Sequence, residues 1–449
     1  MESPQPTYRA ADHPTQNGAA GPIADGGGQP HSNGGAVDDR AVLTERAAET
    51  YVAAAGFQVG PIGRVGVELE YPVRDPRAPL ARPSIARVTA ATAGLAPLPG
   101  GGQITIEPGG QLEISSAVGA SLRDCVAATR ADLAVARRAL HDDGLLLDGT
   151  GLDAHRIPEL ISTHPRYVAL ADYHARSGGK GLAVMCNSAS VQVCLDAGDE
   201  SDGWAGYQMR WWLADAIGPV LLAAFANSPR VVRGTRWVSY RQALRFGTDA
   251  TRTRAPRRGG EPRADWAHYA LRAKVAMIAE PAPASWSVPT GLTMRSWLRG
   301  HGPRPVTLED LERHLGTLVP PVRPRGYLEF RMIDQQPGDG WVVPLAVVTA
   351  LMDDPIAADA AAAATEHLRS PLRRHRDWLA AARTGLTDPQ LATAALACFE
   401  AAAAALDRGG AGKRIRRAVE NFVERYVARG ACPADDPVPP ATFTEPALG

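Results

Sequence analysis

Glutamate is a poor strand former. Yet Arg64-Val-Gly-Val-Glu-Leu-Glu-Tyr71 alternates polar and apolar residues at strand period and carries two glutamates. Side chains at i and i+2 share a face, so Glu68 and Glu70 stand together while Val67 and Leu69 face a core. The pattern recurs. Ile104-Thr-Ile-Glu-Pro-Gly-Gly-Gln-Leu-Glu-Ile-Ser115 reads as two short strands around a Pro-Gly-Gly turn. Glu107 and Glu113 flank that turn at an even spacing that can put both on one face. Val191–Asp196 sets Gln192, Cys194 and Asp196 opposite Val191, Val193 and Leu195. Tyr327–Asp334 sets Glu329 and Arg331 opposite Leu328 and Phe330.

Either these acids are solvated faces of separate sheets, or they converge. Two carboxylates about 5 Å apart repel by roughly 3 kcal/mol at an effective dielectric of 20. Convergence therefore requires protonation, arginines or divalent cations. Ligation by oxygen, without histidine or cysteine, suits a hard cation, Mg²⁺ or Mn²⁺. Mg²⁺ commonly bridges carboxylates to substrate phosphates. The acids thus point to a nucleotide-phosphate site, although no GxxxxGK[ST] loop is present. Gln192 has two readings, a ligand to metal or phosphate and a core amide satisfied by backbone. Cys194 reads as a core thiol. His155, His164 and His174 read as surface or packing residues.

From Arg230 to Lys274 there are 12 Lys+Arg against three acids. Arginine forks bind carboxylate and phosphate through paired hydrogen bonds. Arg241, in a strand-like Ser239-Tyr-Arg241, and Arg252 are the ligand candidates, and the segment around 247–263 is expected to form a mobile lid. Over the whole chain, 48 basic residues balance 48 acidic ones. No net field favours nucleic acid or a membrane surface. No run of 18 apolar residues suggests a span, and the N-terminus has no signal-like apolar stretch. Five scattered cysteines without CxxC read as reduced thiols of a soluble cytoplasmic protein.

Residues 1–40 hold 12 Gly+Pro and no Leu, Phe or Trp, and read as a disordered tail. Residues 433–449, with five prolines, read as a second, flexible tail, leaving one catalytic domain over 41–432. Helices are expected at 121–142, 205–226, 343–367 and 389–407, the last capped by Thr387 or Asp388 and stopped by Gly409. Antiparallel strands with segregated helices give an α+β class.

In order along the chain, several pieces together resemble glutamate–cysteine ligases of the plant-type branch, and most closely the EgtA-type enzymes of ergothioneine biosynthesis. These are Gly66-Val-Glu-Leu-Glu70, Glu107-Pro-Gly-Gly-Gln-Leu-Glu-Ile-Ser115, Pro165-Arg-Tyr167, Val191–Asp196, Ala226-Asn-Ser-Pro229, Ser239-Tyr-Arg241 with Asp249 and Arg252, and Tyr327-Leu-Glu-Phe-Arg331. The resemblance implies a glutamine-synthetase-like fold, a curved antiparallel sheet whose concave face holds ATP, metals and substrates. It implies ATP-dependent joining of the glutamate γ-carboxyl to the cysteine amine through γ-glutamyl phosphate. It further implies two or three Mg²⁺ ions held by Glu68, Glu70, Glu107, Glu113 and Glu329, with Gln192 at a metal-ligand position and Arg331 facing the transferred phosphoryl group. Arg331, Glu113 and Glu329 are the expected catalytic residues. Removing Glu113 or Glu329 is expected to stop turnover and spare the fold, by relieving repulsion.

The chain departs from the plant-type pattern at Asn187, Cys194, Arg245 and Ala154, where that branch has Arg, Asn, Trp and Pro. Expected partners are small molecules (glutamate, cysteine, ATP) acting on a monomer or homodimer. The alternatives are a carboxylate–amine ligase with another acceptor and a guanidino phosphotransferase.

Overall fold

The acid-bearing segments are neighbouring strands of one sheet. In the computed structural model, which describes residues 42–176, 178–257, 260–281, 285–368 and 374–437, six strands matter: β1 (Val65–Tyr71), β2 (Gln103–Ile106), β3 (Leu112–Ser115), β4 (Ser190–Asp196), β5 (Val322–Pro324) and β6 (Tyr327–Asp334). They lie in the order β2-β3-β1-β4-β6-β5, and every pair is antiparallel. This is the expected α+β arrangement.

Alternation divides the sheet into two unlike faces. Val65, Val67, Leu69, Tyr71, Leu112, Ile114, Val191, Val193, Leu195, Leu328 and Phe330 form one face and are at most 1% exposed. Burying each such side chain contributes about 1.5–3 kcal/mol. Helices Tyr207–Ala224 and Val342–Asp353 lie against this face. Both are buried nearly all round, as an interior helix must be. Helices from Pro355 to Arg425 add an outer layer.

The expected helices at 121–142, 205–226 and 389–407 are found at Leu122–Asp142, Tyr207–Ala224 and Pro389–Arg408. Asp388 caps the last by accepting from the Gln390 and Leu391 amides. The expected single helix 343–367 is broken. Asp354 is extended (ψ 123°), starts a new helix at Pro355, and caps it through the Ala357 amide. Pro389–Arg408 is long and apolar enough to cross a membrane. One face of it, Leu391, Ala394, Ala395, Cys398, Phe399 and Ala402, is buried against neighbouring helices, while Glu400 and Asp407 are exposed.

The expected N-terminal tail lies outside the described residues, as do residues 438–449. Packing continues past Cys432, however. Pro433–Asp435 form a turn of 3-10 helix, with Pro433 and Ala434 buried.

Two local devices shape the polar face. The turn between β2 and β3 closes with Glu107 N donating to Gln111 O and Gly110 N donating to Glu107 O, both 2.8 Å. Gly110 has φ +83°, and a Cβ on Gly109 would fall 2.1 Å from the Cys186 carbonyl oxygen. Only glycine fits either position. The second device is an irregularity in the β4–β6 register between Phe330 and Ile333. An extra residue on β6 turns Asp334, which strict alternation would set beside Phe330, to a place opposite Ser190.

Candidate active site

The polar face of the sheet floors a cavity of about 800 Å³. Glu68, Glu70, Glu107 and Glu113 all line it. Glu70 and Glu113 are direct cross-strand partners, and Glu68 sits opposite Gln192. Directly opposed like charges destabilise a sheet, so this arrangement is maintained against repulsion. Among the described residues, none of these four acids forms an ion pair with a basic side chain. Glu70 accepts from Ser190 Oγ (2.8 Å) and Gln192 Nε2 (2.7 Å). Glu113, 3% exposed, accepts from Thr105 Oγ1 (2.9 Å). Burial, and then the Glu329 charge, pushes the Glu68 carboxyl up to about 7. Burial, and then Glu70, pushes Glu107 up to about 8. Glu113 is raised well above the usual range by burial and then by Glu68 and Glu107.

The fifth acid differs. Glu329 is fully buried beneath the cavity and does not line it. Arg323 grips it with a two-pronged contact, Nε to Oε2 at 2.6 Å and Nη2 to Oε1 at 2.9 Å. Arg331 Nη1 adds a bond to Oε2 at 2.8 Å. Burial acts to raise the Glu329 carboxyl, but Arg323 and then Arg331 outweigh it and hold it well below the usual range. Arg331 Nη1 also donates to Gln192 Oε1. The Gln192 amide therefore links Glu70 to Arg331, which overturns a reading of it as satisfied by backbone. Arg331 Nε and Nη2 make no hydrogen bond among the described residues, and Nε is buried.

Arginines contribute to the cavity wall: Arg323 and Arg331 stand on the sheet beside the acids, and Arg166, Arg241, Arg245, Arg252, Arg313 and Arg325 come from outside its strands. The two expected ligand arginines reach this wall with their forks engaged by protein. Arg241 Nε donates to Asp334 Oδ1 at 2.6 Å, and its Nη atoms reach the Arg331 carbonyl. Arg252 donates to the carbonyls of Lys274 (2.8 Å) and Thr317 (2.5 Å). The geometry thus makes both of them supports of the wall and does not favour them as phosphate ligands. Ser239-Tyr-Arg241 is not a strand, because Ser239 caps a helix, Tyr240–Phe246, by accepting from the Gln242 amide. Half of the expected lid is also fixed structure. Asp249 caps Ala250–Thr253 and accepts from Tyr173 Oη, Arg252 and Thr253 are buried, and residues 258–259 lie outside the described residues. Asn187 stands away from the cavity and bonds to Arg82 and to the Asp153 and Arg156 carbonyls. His164 and His174 line the cavity, although the sequence suggested only packing. His164 Nδ1 accepts from the Arg166 amide as a helix cap, and burial lowers His174 to about 4, so it is neutral.

Arg323, Arg325 and the rim pair Trp286–Arg313, with the guanidinium 5.4 Å from the ring centre, were not anticipated, and Arg166 entered only as part of the Pro165-Arg-Tyr167 motif. A signal for Arg323 existed. Pro324-Arg-Gly326 is a turn sequence between two strand-like runs, and the hairpin it makes sets Arg323 opposite Glu329.

The floor suits hard divalent cations: four crowded carboxylates, oxygen donors, and no arginine ion pair to these acids among the described residues. Its raised carboxyls give a signed prediction. A carboxyl whose folded pKa is raised contributes stability that is complete below the unfolded value and is lost as pH rises through the folded one. Metal-free protein should therefore lose stability from about pH 4.3 up through about 7 for Glu68 and about 8 for Glu107. Thermal melts in EDTA and in Mg²⁺, at about pH 6 and about pH 8.5, should show a larger Mg²⁺ stabilisation at the higher pH. An equal Mg²⁺ effect at both would contradict this.

The family model described as glutamate-cysteine ligase family 2 matches residues 64–438. The chain belongs to that family. It is 37% identical over 411 residues to the glutamate–cysteine ligase EgtA of Mycobacterium tuberculosis, covering 89% of this chain and 91% of that one. It is 39% identical over 408 residues to EgtA of Mycolicibacterium smegmatis, covering 86% and 93%. The chloroplastic glutamate–cysteine ligase of Brassica juncea is 30% identical over 248 residues, covering 52% of this chain and 46% of the plant protein. Membership of the family agrees with the resemblance read from the motifs, and the higher identity and coverage of the EgtA enzymes agree with placing it among EgtA-type enzymes ahead of plant ones.

Proposed function

We propose that this chain joins the γ-carboxyl of L-glutamate to the amine of L-cysteine at the expense of ATP, giving γ-glutamylcysteine for ergothioneine biosynthesis. One observation carries the reading: in a member of this ligase family, four carboxylates that form no ion pair among the described residues line a single cavity together with eight arginines. Glu68, Glu70, Glu107 and Glu113, with Gln192 and Glu329 at the edge, would hold two or three Mg²⁺ ions, with Mn²⁺ as a substitute. When bound, such ions neutralise phosphate charge and align the ATP phosphates.

A carboxylate is a poor electrophile. Its γ-oxygen therefore bonds to the γ-phosphorus of ATP while the bond to ADP breaks, giving γ-glutamyl phosphate. The cysteine amine then bonds to the acyl carbon, phosphate leaves, and the nitrogen gives up a proton. Arg331 keeps Nη2 for the phosphoryl oxygens, while its Nη1 is oriented by Gln192 and Glu329. Fixed donors of this kind act where charge spreads in the transition state. Exclusion of water during turnover would protect the acyl phosphate from hydrolysis. The free, buried cysteines are in keeping with a reducing compartment.

The test is product mass after incubation with ATP, Mg²⁺, glutamate and cysteine, beside a panel of other amines. ADP, phosphate and γ-glutamylcysteine are expected. Amide formation only with another amine, or phosphorylation of a guanidino compound without an amide, would overturn the assignment.

A further inference from the structure

We infer that Cys194, Glu68 and Glu329 form a thiophilic dication site at the edge of the acid floor, one that takes Zn²⁺, Co²⁺ or Cd²⁺ through a metal–sulfur bond. The inference deepens the reading of this floor as a dication site and rests on it. Cys194 Sγ and one carboxylate oxygen from each glutamate all lie within 4.8 Å of one another. Bonds of about 2.3 Å to sulfur and about 2.0–2.2 Å to oxygen put tetrahedral ligand atoms roughly 3.4–3.7 Å apart. Side-chain adjustment covers the difference.

The backbone imposes this grouping. Cys194 is the cross-strand partner of Gly66 on β1 and of Glu329 on β6, and Glu68 follows Gly66 on the same face. Gly66 offers no side chain, and a Cβ there would lie 3.5 Å from Cys194 Cβ, so the space beside the thiol stays open. Cys194 is 9% exposed, and neither it nor Glu68 makes a side-chain hydrogen bond among the described residues. Glu329 Oε2 already accepts from Arg323 and Arg331, whereas Oε1 accepts one hydrogen bond, from Arg323, lies 3.8 Å from Arg325 Nη1, and keeps a lone pair. Among the described residues, no other cysteine shares such a position with two carboxylates.

The chemistry of the donors sets the selectivity. Carboxylates alone favour Mg²⁺ and Mn²⁺, whereas a thiolate selects softer ions. Burial, then the charges of Glu68 and Glu329, keep this sulfur a thiol in the metal-free protein. As the metal–sulfur bond forms, the S–H bond breaks and its proton passes to solvent. An ion held here also occupies Glu68, so it competes with Mg²⁺ for the floor.

Titrating the full-length, metal-stripped protein with Co²⁺ under anaerobic conditions should produce a thiolate-to-cobalt charge-transfer band that saturates at one equivalent. Cys194→Ser should lose the band and bind Zn²⁺ at least about tenfold more weakly. Cys398→Ser, in the outer helical layer, should keep it. If Cys194→Ser fails to show a cooperative melt, Cys194→Asn serves as the same comparison. No band in the native protein, or a band retained without Cys194, would overturn the inference. Formation of γ-glutamylcysteine with Mg²⁺ is measured separately. Turnover without the band defeats only this inference, and the band without turnover defeats only the ligase reading.

Discussion

Replacing Arg331 by alanine is expected to lower kcat by roughly 100- to 1,000-fold, the usual loss when a fixed donor to a charged transition state is removed. KM for ATP should change only a few-fold. The split follows from geometry. Arg331 Nη1 is held by Gln192 and Glu329, while Nη2 makes no hydrogen bond among the described residues and remains for a ligand. A donor positioned this way acts most on the group whose charge redistributes during transfer. The fold should survive, because Arg323 still pairs with Glu329. Arg331→Lys should recover little, since an ammonium cannot satisfy the two glutamate and glutamine acceptors and reach a phosphoryl group together. Steady-state kcat and KM with ATP varied provide the check. An effect confined to ATP affinity would make Arg331 a nucleotide-binding residue instead.

The second large effect separates two glutamates that look equivalent in the sequence. Glu113→Ala should remove turnover yet leave metal-free protein as stable as before, or more so, because Glu113 faces Glu70 across the strands and has no basic partner. Glu329→Ala should instead destabilise by about 3–5 kcal/mol, the usual cost of stripping one partner from a buried ion pair. Arg323 would keep only the Leu318 carbonyl at 3.1 Å, buried without a counter-charge. Denaturant unfolding in EDTA should therefore show the two substitutions differing in direction. Equal losses of stability would mean that Glu113 is compensated by charge elsewhere. The sequence-based expectation that removal spares the fold is therefore kept for Glu113 and replaced for Glu329 by the loss predicted from its arginine contacts.

The strands and their two faces were legible because alternation is a local property. Once Val67 and Leu69 must be buried, Glu68 and Glu70 have only the other side. Three long helices were legible for the same reason, from apolar periodicity and caps such as Asp388. The EPGGQ turn was legible because Gly109 and Gly110 sit where no side chain fits. What the sequence could not determine was which charges would be compensated and by what. Arg323 meets Glu329 through a hairpin register, and Arg241 meets Asp334 through an extra residue in β6 and a helix that begins at Ser239. Electrostatic roles depend on distances of a few ångströms between residues far apart in the chain. Local pattern decided which side of the sheet each acid occupies. Only the tertiary structure decided that Glu329 is neutralised by arginines while Glu68, Glu70, Glu107 and Glu113 are left for something else to neutralise.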